Sequence, residues 1–410
     1  MPPLATHTRP LSARRTFRWL PPVAAWLLCA AVRVHAGAPD WTVEITPDGE
    51  LFPVLDLSQT PPKSTTAPGG GNGLVIVRVH GDGAPRHARL ELRTPGLRAP
   101  VVVEADIAPG SSIELRPRLD WDTDYLSALK APNRQALKVT LQRSGRATEV
   151  RDVPVRVHPL DDALYYVREG RDRIDLGWVF AAYVNPDDPI VAAIVDEARG
   201  IDADFERPAE DRDATARKAL ALWTALTRHG LRYATGDPAL SRGPAVYSQR
   251  VRLLADVWRE RRANCLDGSV LIASVLERIG IPAFIALVPG HAFVGYRADG
   301  RDADGRGIGS GEHVDWIETT LLGDRTRTSA ADASDDAAIA ANFEAARSAG
   351  RARWRRAASR FDRRHAPDYA LIDIGTARSY GIIPLGAHGE GRARAGPAAA
   401  AGLSRKSSTQ

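Results

Sequence analysis

The sequence is poor in cysteine, with two in 410 residues. One of them, Cys29, lies in a segment that we expect to be removed, which leaves Cys265 as the only thiol of the mature chain. No internal disulfide can then form. An exported protein with one free cysteine has either a buried thiol or a working one, because an idle exposed thiol oxidises outside the cytosol.

A long apolar run is also missing. The most apolar stretch, residues 20–31, falls short of the roughly 20 residues that a membrane-spanning helix needs. It follows a basic segment at 14–18 and precedes a small-residue cleavage site at 34–36. This order predicts that residues 1–36 are an export signal and that the protein is periplasmic or secreted, without membrane contact after cleavage. The Sec and twin-arginine routes both remain open.

The part of the chain expected to fold lacks a net charge. The whole sequence has 55 Lys and Arg against 50 Asp and Glu, a net charge of +5. The export signal contains five arginines and no acidic residue, so its removal leaves 50 charges of each sign. A basic surface that binds nucleic acid is therefore not expected.

The length and the hydrophobic content of 44% are sufficient for two folded domains. Seven short runs between Trp41 and Val157 alternate apolar and polar residues, with glycine and proline between them. The pattern predicts an immunoglobulin-like β-sandwich over residues 37–160, without the cysteine pair of immunoglobulin domains. We expect no chemistry there. The seven runs are 41–45, 74–79, 87–92, 101–104, 112–116, 137–141 and 153–157.

Beyond residue 161 the pattern changes to a mixture of helices and strands, which predicts an α+β domain over residues 161–385. Helices are expected to begin at Asp188, at Asp213 and near Gln249. We expect one or two outer helices over residues 331–360 and a strand next to the site over residues 369–374. Residues 386–410 are expected to be a disordered tail.

The run from Arg262 to Pro282 predicts a helix with Cys265 at its first position. Asn264 is a good N-cap, and Asp267 places negative charge in the first turn. Free N–H groups and the helix dipole favour a thiolate at this position. Cys265 is then a nucleophile, or else a small buried apolar residue.

Two polar side chains follow on predicted strands. Residues 281–288 form one strand, and His291 opens the next after a Pro-Gly turn. Glu318 lies within a third apolar and β-branched run, residues 314–322. A carboxylate buried in a strand needs a partner.

A cysteine helix, a histidine strand and an acid strand follow one another in this order in the transglutaminase-like branch of the papain-type cysteine enzymes. The sequence resembles this superfamily over roughly residues 180–325. The resemblance implies that Cys265 is the nucleophile, His291 the base and Glu318 the orienting acid, where the family usually has aspartate. The matching pieces are Asn-Cys-Leu-Asp-Gly at 264–268, Gly-Ile-Pro at 280–282, Pro-Gly-His-Ala-Phe at 289–293 and Trp-Ile-Glu-Thr-Thr at 316–320.

Several supporting roles stay open. Gln249 is an oxyanion donor by analogy with the glutamine upstream of the papain-type cysteine, or a solvent-facing residue at a helix start. Asn264 and Asp267 are expected to support the site through the helix start, and Asp267 competes with Glu318 for the acid role. Asp315, three residues before Glu318, is expected on the opposite sheet face.

The resemblance implies an exported enzyme that acts on amide bonds through a thioester, by hydrolysis or by acyl transfer. Its substrate would be a protein or peptide, cell-wall peptides included, and it needs no cofactor. A metal site from Cys265, His291 and His313 is disfavoured because paired-ligand spacing is lacking. The alternative is a non-catalytic envelope module for binding or assembly that keeps the fold.

Overall fold

The computed structural model describes residues 40–60, 67–170, 172–209, 211–235, 245–299, 313–324, 336–361 and 368–386. The predicted export signal and all but the first residue of the predicted tail lie outside these ranges. The described part is α+β, as the sequence predicts. None of its helices is both long and apolar enough to cross a membrane.

The first part of the chain forms two β-sheets. All seven predicted strands are present, together with a short additional strand, β2. One sheet has the order β1-β3-β6 and the other β2-β8-β7-β4-β5, with antiparallel pairing except between β2 and β8. The strands are β1 Trp41–Ile45, β2 Glu50–Leu51, β3 Val75–His80, β4 Arg86–Arg93, β5 Val101–Ile107, β6 Ser112–Leu115, β7 Asn133–Arg143 and β8 Glu149–Val157. Two short helices accompany them, α1 Pro53–Leu57 and α2 Thr123–Ala128.

Alternation along the strands explains how these sheets are held together. Val77 and Val79 of β3, and Leu90 and Leu92 of β4, are spaced by two residues and are fully buried. They belong to one continuous apolar core. Each such side chain contributes about 1.5–3 kcal/mol through burial.

The second part of the chain combines helices with three further sheets. Its sheet orders are β10-β9-β12, β11-β13 and β16-β15-β14-β17. The strands are β9 Asp162–Glu169, β10 Asp172–Asp175, β11 Arg232–Tyr233, β12 Val246–Arg250, β13 Arg262–Ala263, β14 Ala283–Val288, β15 His291–Arg297, β16 Val314–Ile317 and β17 Ala370–Asp373. The α-helices are α3 Pro189–Arg199, α4 Arg212–Arg228, α5 Leu254–Glu260, α6 Cys265–Arg278, α7 Asp336–Phe361 and α8 Ile374–Ser379, and the 3-10 helices are Gly177–Tyr183 and Thr319–Leu321.

Most predicted elements of this part are confirmed. Helix α3 is capped by Asp188, and β17 pairs with β14 of the site sheet. Residues 336–361 form a single helix, α7, that packs on β16. Helix α6 packs against β14 and β15, so the cysteine helix and the histidine strand are in contact.

Two predicted helix starts are wrong. Helix α4 begins at Arg212, because the Asp211 side chain accepts a hydrogen bond from Ala214 N–H and caps the helix two residues early. Gln249 lies in strand β12, since residues 246–250 pair with β9. The helix of this region begins only at Leu254.

Candidate active site

The start of α6 is fixed by a capping box. The Asn264 Oδ1 accepts hydrogen bonds from the N–H groups of Leu266 at 2.8 Å and Asp267 at 2.9 Å. The Asp267 carboxylate in turn accepts from Asn264 N–H at 3.1 Å and from Arg252 N–H at 2.9 Å. The two side chains thus form a reciprocal capping box at the start of α6.

The Asp267 carboxylate is engaged with the backbone at the helix start. Its side chain is fully buried, and burial raises its pKa to about 6 against the lowering effect of the Arg252 and Asn264 N–H donors. Its partners lie in the backbone around the helix start, so its carboxylate stabilises the turn that carries Cys265.

Cys265 is the first residue of α6 and is partly exposed. Its thiol therefore lies at the positive end of a 14-residue helix. The Asn264 cap engages the next two N–H groups and leaves the Cys265 N–H for another acceptor. The Cys265 carbonyl is held by the hydroxyls of Ser269 at 2.6 Å and Thr319 at 3.1 Å.

His291 connects the thiol to Glu318. Its Nε2 lies 3.0 Å and 2.9 Å from the two carboxylate oxygens of Glu318, and the Cys265 side chain is close enough to its ring to help raise the pKa of the imidazole. Because Nε2 faces Glu318, Nδ1 is left for the thiol. The side chains of His291 and Glu318 are 14% and 4% exposed, so water screens their contact weakly.

The electrostatics favour the charged form of both partners. Burial alone lowers the pKa of His291, but hydrogen bonds and negative charges from Cys265 and Glu318 outweigh it and raise the pKa to about 9. Burial alone raises the pKa of Glu318, but His291, Thr320 and Arg353 outweigh it and lower the pKa to about 2. An imidazolium beside a carboxylate is thus the stable state near neutral pH.

Glu318 lies just beyond the end of β16, which corrects its predicted place inside the strand. It caps the 3-10 helix Thr319–Leu321, and its Oε1 accepts from the hydroxyl and N–H of Thr320 at 2.9 Å and 3.2 Å. The strand stops there because Glu318 N–H donates to the Ala346 carbonyl of α7 at 3.0 Å. The bend directs the carboxylate toward His291.

A further hydrogen-bond donor to Glu318 comes from α7. The Arg353 Nε donates to Glu318 Oε2 at 2.7 Å. Residue Gly350, one turn earlier, allows this approach, because a Cβ there would lie 2.5 Å from the Trp316 carbonyl oxygen. Sequence reasoning missed Arg353, and no local motif distinguishes it from the other arginines of α7.

The thiol, imidazole and carboxylate thus lie in this order at a helix N-terminus, with hydrogen bonds joining the imidazole to the carboxylate. Such a group can move a proton from the thiol to the ring while the carboxylate stabilises the cation. No protein-family model matches the sequence, and no curated protein matches it either. The interpretation of the site therefore depends on its geometry.

The other candidate residues from the sequence lie apart from the group formed by Cys265, His291 and Glu318. The Gln249 amide donates to the Arg250 carbonyl at 3.1 Å, so the structure shows it engaged with its own strand. Asp315 faces away from Glu318, as expected, and binds Arg347. His313 is 62% exposed and contacts Asp299. Within the described ranges, no three His, Cys, Asp or Glu side chains are grouped to hold a metal ion.

Proposed function

We propose that this protein is a transglutaminase-like cysteine enzyme that acts on amide bonds through a thioester. The observation that carries the proposal is that His291 is hydrogen-bonded to Glu318 and lies beside Cys265, with the cysteine at the first position of α6. The order along the chain is that of the superfamily which the sequence resembles. A non-catalytic module does not need a part-exposed thiol beside an imidazole of raised pKa.

In the proposed mechanism, the His291 ring already holds the proton of the thiol as an imidazolium, and the Cys265 thiolate attacks the substrate carbonyl. A carbon–sulfur bond forms, and the carbonyl electron pair moves to oxygen. The Cys265 N–H stabilises this oxyanion, a contribution of roughly 2.7–4 kcal/mol for one such donor. The imidazolium then protonates the leaving amine as the carbon–nitrogen bond breaks. Water or a second amine resolves the thioester and regenerates the thiol.

The remaining parts of the proposal concern architecture and place. We propose that residues 40–160 form an immunoglobulin-like sandwich and residues 161–385 a transglutaminase-like domain. Two sheets with a shared core support the first assignment, and α6 packed on the β14–β17 sheet supports the second. The expected export signal supports action outside the cytosol, and the resemblance to the superfamily supports a protein or peptide substrate.

Acylation by an activated ester tests the reaction. Incubation with p-nitrophenyl acetate should release a burst of nitrophenolate and add one acetyl group to the peptide that contains Cys265, detected by mass spectrometry. Cys265→Ser should abolish the burst. Faster decay of the acetyl-enzyme in glycinamide than in buffer indicates acyl transfer, and equal decay indicates hydrolysis. Absence of acylation would support the non-catalytic module instead.

A further inference from the structure

Strand β11 lies between the elements that carry the nucleophile and the acid. It pairs in parallel with β13, which runs directly into Asn264 and Cys265. On its other side, Tyr233 N–H donates to the Leu322 carbonyl at 3.0 Å, at the end of the 3-10 helix that Glu318 caps. Residues of β11 are therefore held next to both functional groups.

A cleft of about 530 Å³ opens along this strand, lined by residues 232–235 and 260–262. Its size is in the range of small-ligand sites. Tyr233 is one of four large apolar side chains exposed in the described part, at 37%. The negative charges of Cys265 and Glu318 act on its hydroxyl and, after burial, help to raise its pKa, so the tyrosine lies close to both.

The described residues that line the cleft give it a net positive charge. Arg232, Arg261 and Arg262 are exposed, and none of the three has an ion-pair partner among the described residues. The acidic residue of the lining, Glu260, is itself paired with Arg252 at 3.4 Å and with Arg259 at 3.7 Å. Three guanidinium groups with no ion-pair partner in the described part of the chain, next to one shared carboxylate, attract an anion.

We infer that this cleft is a substrate subsite that selects a carboxylate next to the scissile amide, supplied by an acidic side chain or by a chain terminus. The inference rests on the proposed function, because it places the carboxylate beside the carbonyl that Cys265 attacks. Guanidinium groups suit a carboxylate since they can bind both of its oxygens. Tyr233 provides an aromatic wall for the adjoining part of the peptide.

Alkylation of Cys265 by matched charged and neutral reagents tests the subsite without a known substrate. We would measure the rate ratio of iodoacetate to iodoacetamide at pH 9 and low salt, relative to the same ratio for N-acetylcysteine. The wild type should exceed that reference by about threefold to tenfold. Arg232→Gln combined with Arg262→Gln should remove most of the excess, as should about 0.5 M salt.

Arg278→Gln is the control for loss of a positive charge away from the cleft, since it removes one guanidinium from the last turn of α6, about 20 Å from Cys265 at 1.5 Å per residue. It should leave the ratio unchanged. The iodoacetamide rate alone reports activation of the thiol, so failure of the proposed function and failure of the subsite are distinguishable. A wild-type ratio equal to the reference, or unchanged in the double variant, would overturn the inference.

Two further reagent pairs separate the sources of the carboxylate. Iodoacetyl-glutamic acid amide against iodoacetyl-glutamine amide tests an acidic side chain, and iodoacetyl-glycine against iodoacetyl-glycinamide tests a chain terminus. For each reagent pair we would compare the alkylation rates of the charged and the neutral member. The source of the carboxylate is identified by the pair whose charged member reacts with the larger excess, provided that the Arg232/Arg262 variant loses this excess. If neither pair shows a preference that depends on the arginines, the subsite is contradicted.

Discussion

The ion pair of His291 and Glu318 has a defined pH window. The pKa of His291 is raised from 6.5 to about 9, so its contribution to stability is complete below pH 6.5 and is lost as pH rises through about 9. The pKa of Glu318 is lowered from 4.5 to about 2, so its contribution is complete above pH 4.5 and is lost as pH falls through about 2. Both contributions are fully present between pH 4.5 and 6.5.

Replacing Glu318 by glutamine should lower the pH at which the acylation rate declines on the alkaline side. The amide keeps a hydrogen-bonding group at the same place but removes the charge that supports the imidazolium. We expect the alkaline limb of the acylation rate to shift from about pH 9 toward pH 6.5. The rate below that limb should fall by about 10²-fold or more. A full pH–rate profile measures both, and an unmoved limb would argue against the His291–Glu318 pair.

Arg353→Gln should have a smaller effect. Arg353 is a positioning residue that acts through Glu318, with a side chain 38% exposed, so its charge is partly screened. We expect the acylation rate to fall by about threefold to tenfold, with a small rise in the pKa of Glu318 on the acid limb. Arg356→Gln, an exposed position on the same helix, should leave both unchanged. A drop of equal size in the two variants would point to helix stability rather than positioning.

Among the site residues, those that the sequence predicts are the ones marked by a pattern in the neighbouring residues. Asn264, Cys265 and Asp267 follow from the rules for a helix start, and His291 follows from a turn that opens a strand. Arg353 was not predictable, because its contact with Glu318 spans 35 positions and depends on where α7 docks. The alternative for Gln249, a solvent-facing residue at a helix start, was wrong because Gln249 lies in β12.

The docking of α7 on β16 is the element on which the acid depends. At Gly350 the helix backbone meets Trp316 and Ile317 without a side chain between them, and Trp354 stacks on Trp316 with ring centroids 4.3 Å apart. This close approach brings the Ala346 carbonyl to Glu318 N–H. The end of β16, and so the direction of Glu318, is set by the helix.

Gly350→Ala should therefore weaken both packing and function. The added Cβ would lie 2.5 Å from a backbone oxygen that cannot rotate away, and overpacking of this kind costs about 1–3 kcal/mol. We expect the free energy of unfolding, measured by urea titration, to fall by this amount. The acylation rate should also fall, because Arg353 moves away from Glu318. Ser348→Ala on the exposed face of α7 is the matched control. A fully active Gly350→Ala protein would contradict the dependence on close docking.

Elements whose pattern was local were predicted well, and those set by distant pairing were not. The seven strands and α6 follow from period-2 and period-3.6 patterns within single segments. Gln249 and Arg250 were assigned to the start of a helix although they belong to β12, which pairs with β9 about 80 positions earlier in the chain. Sheet pairing over that distance decides the structure where the local pattern is ambiguous.

The two parts of the chain are joined by a buried charge cluster. His158 is fully buried after β8, with Nδ1 2.6 Å from Asp162 of β9 and Nε2 hydrogen-bonded to Glu50 of β2. Its ring stacks on Phe52 at 3.7 Å. Burial alone lowers the pKa of His158, but the two carboxylates outweigh it and raise the pKa. The cluster links the N-terminal sheets to the part that contains the site.

His158→Leu should destabilise the whole molecule. It would leave Asp162 buried without its partner, a change that costs about 3–5 kcal/mol. The loss should shrink in the double variant with Asp162→Asn, since the unpaired charge is then removed. His87→Leu, an exposed histidine beside Asp106, should change the free energy of unfolding little. Urea titration measures all three, and equal losses in single and double variants would contradict the coupling.

The most direct test of the central claim is the pH dependence of Cys265 alkylation by iodoacetamide, compared between the wild type and His291→Ala. A thiolate–imidazolium pair predicts a rate that persists well below pH 7 in the wild type and collapses in the variant. An ordinary thiol reacts with a midpoint near pH 8.5. If both proteins followed that ordinary curve, or reacted only after denaturation, Cys265 would be a structural residue and the proposed enzyme would be ruled out.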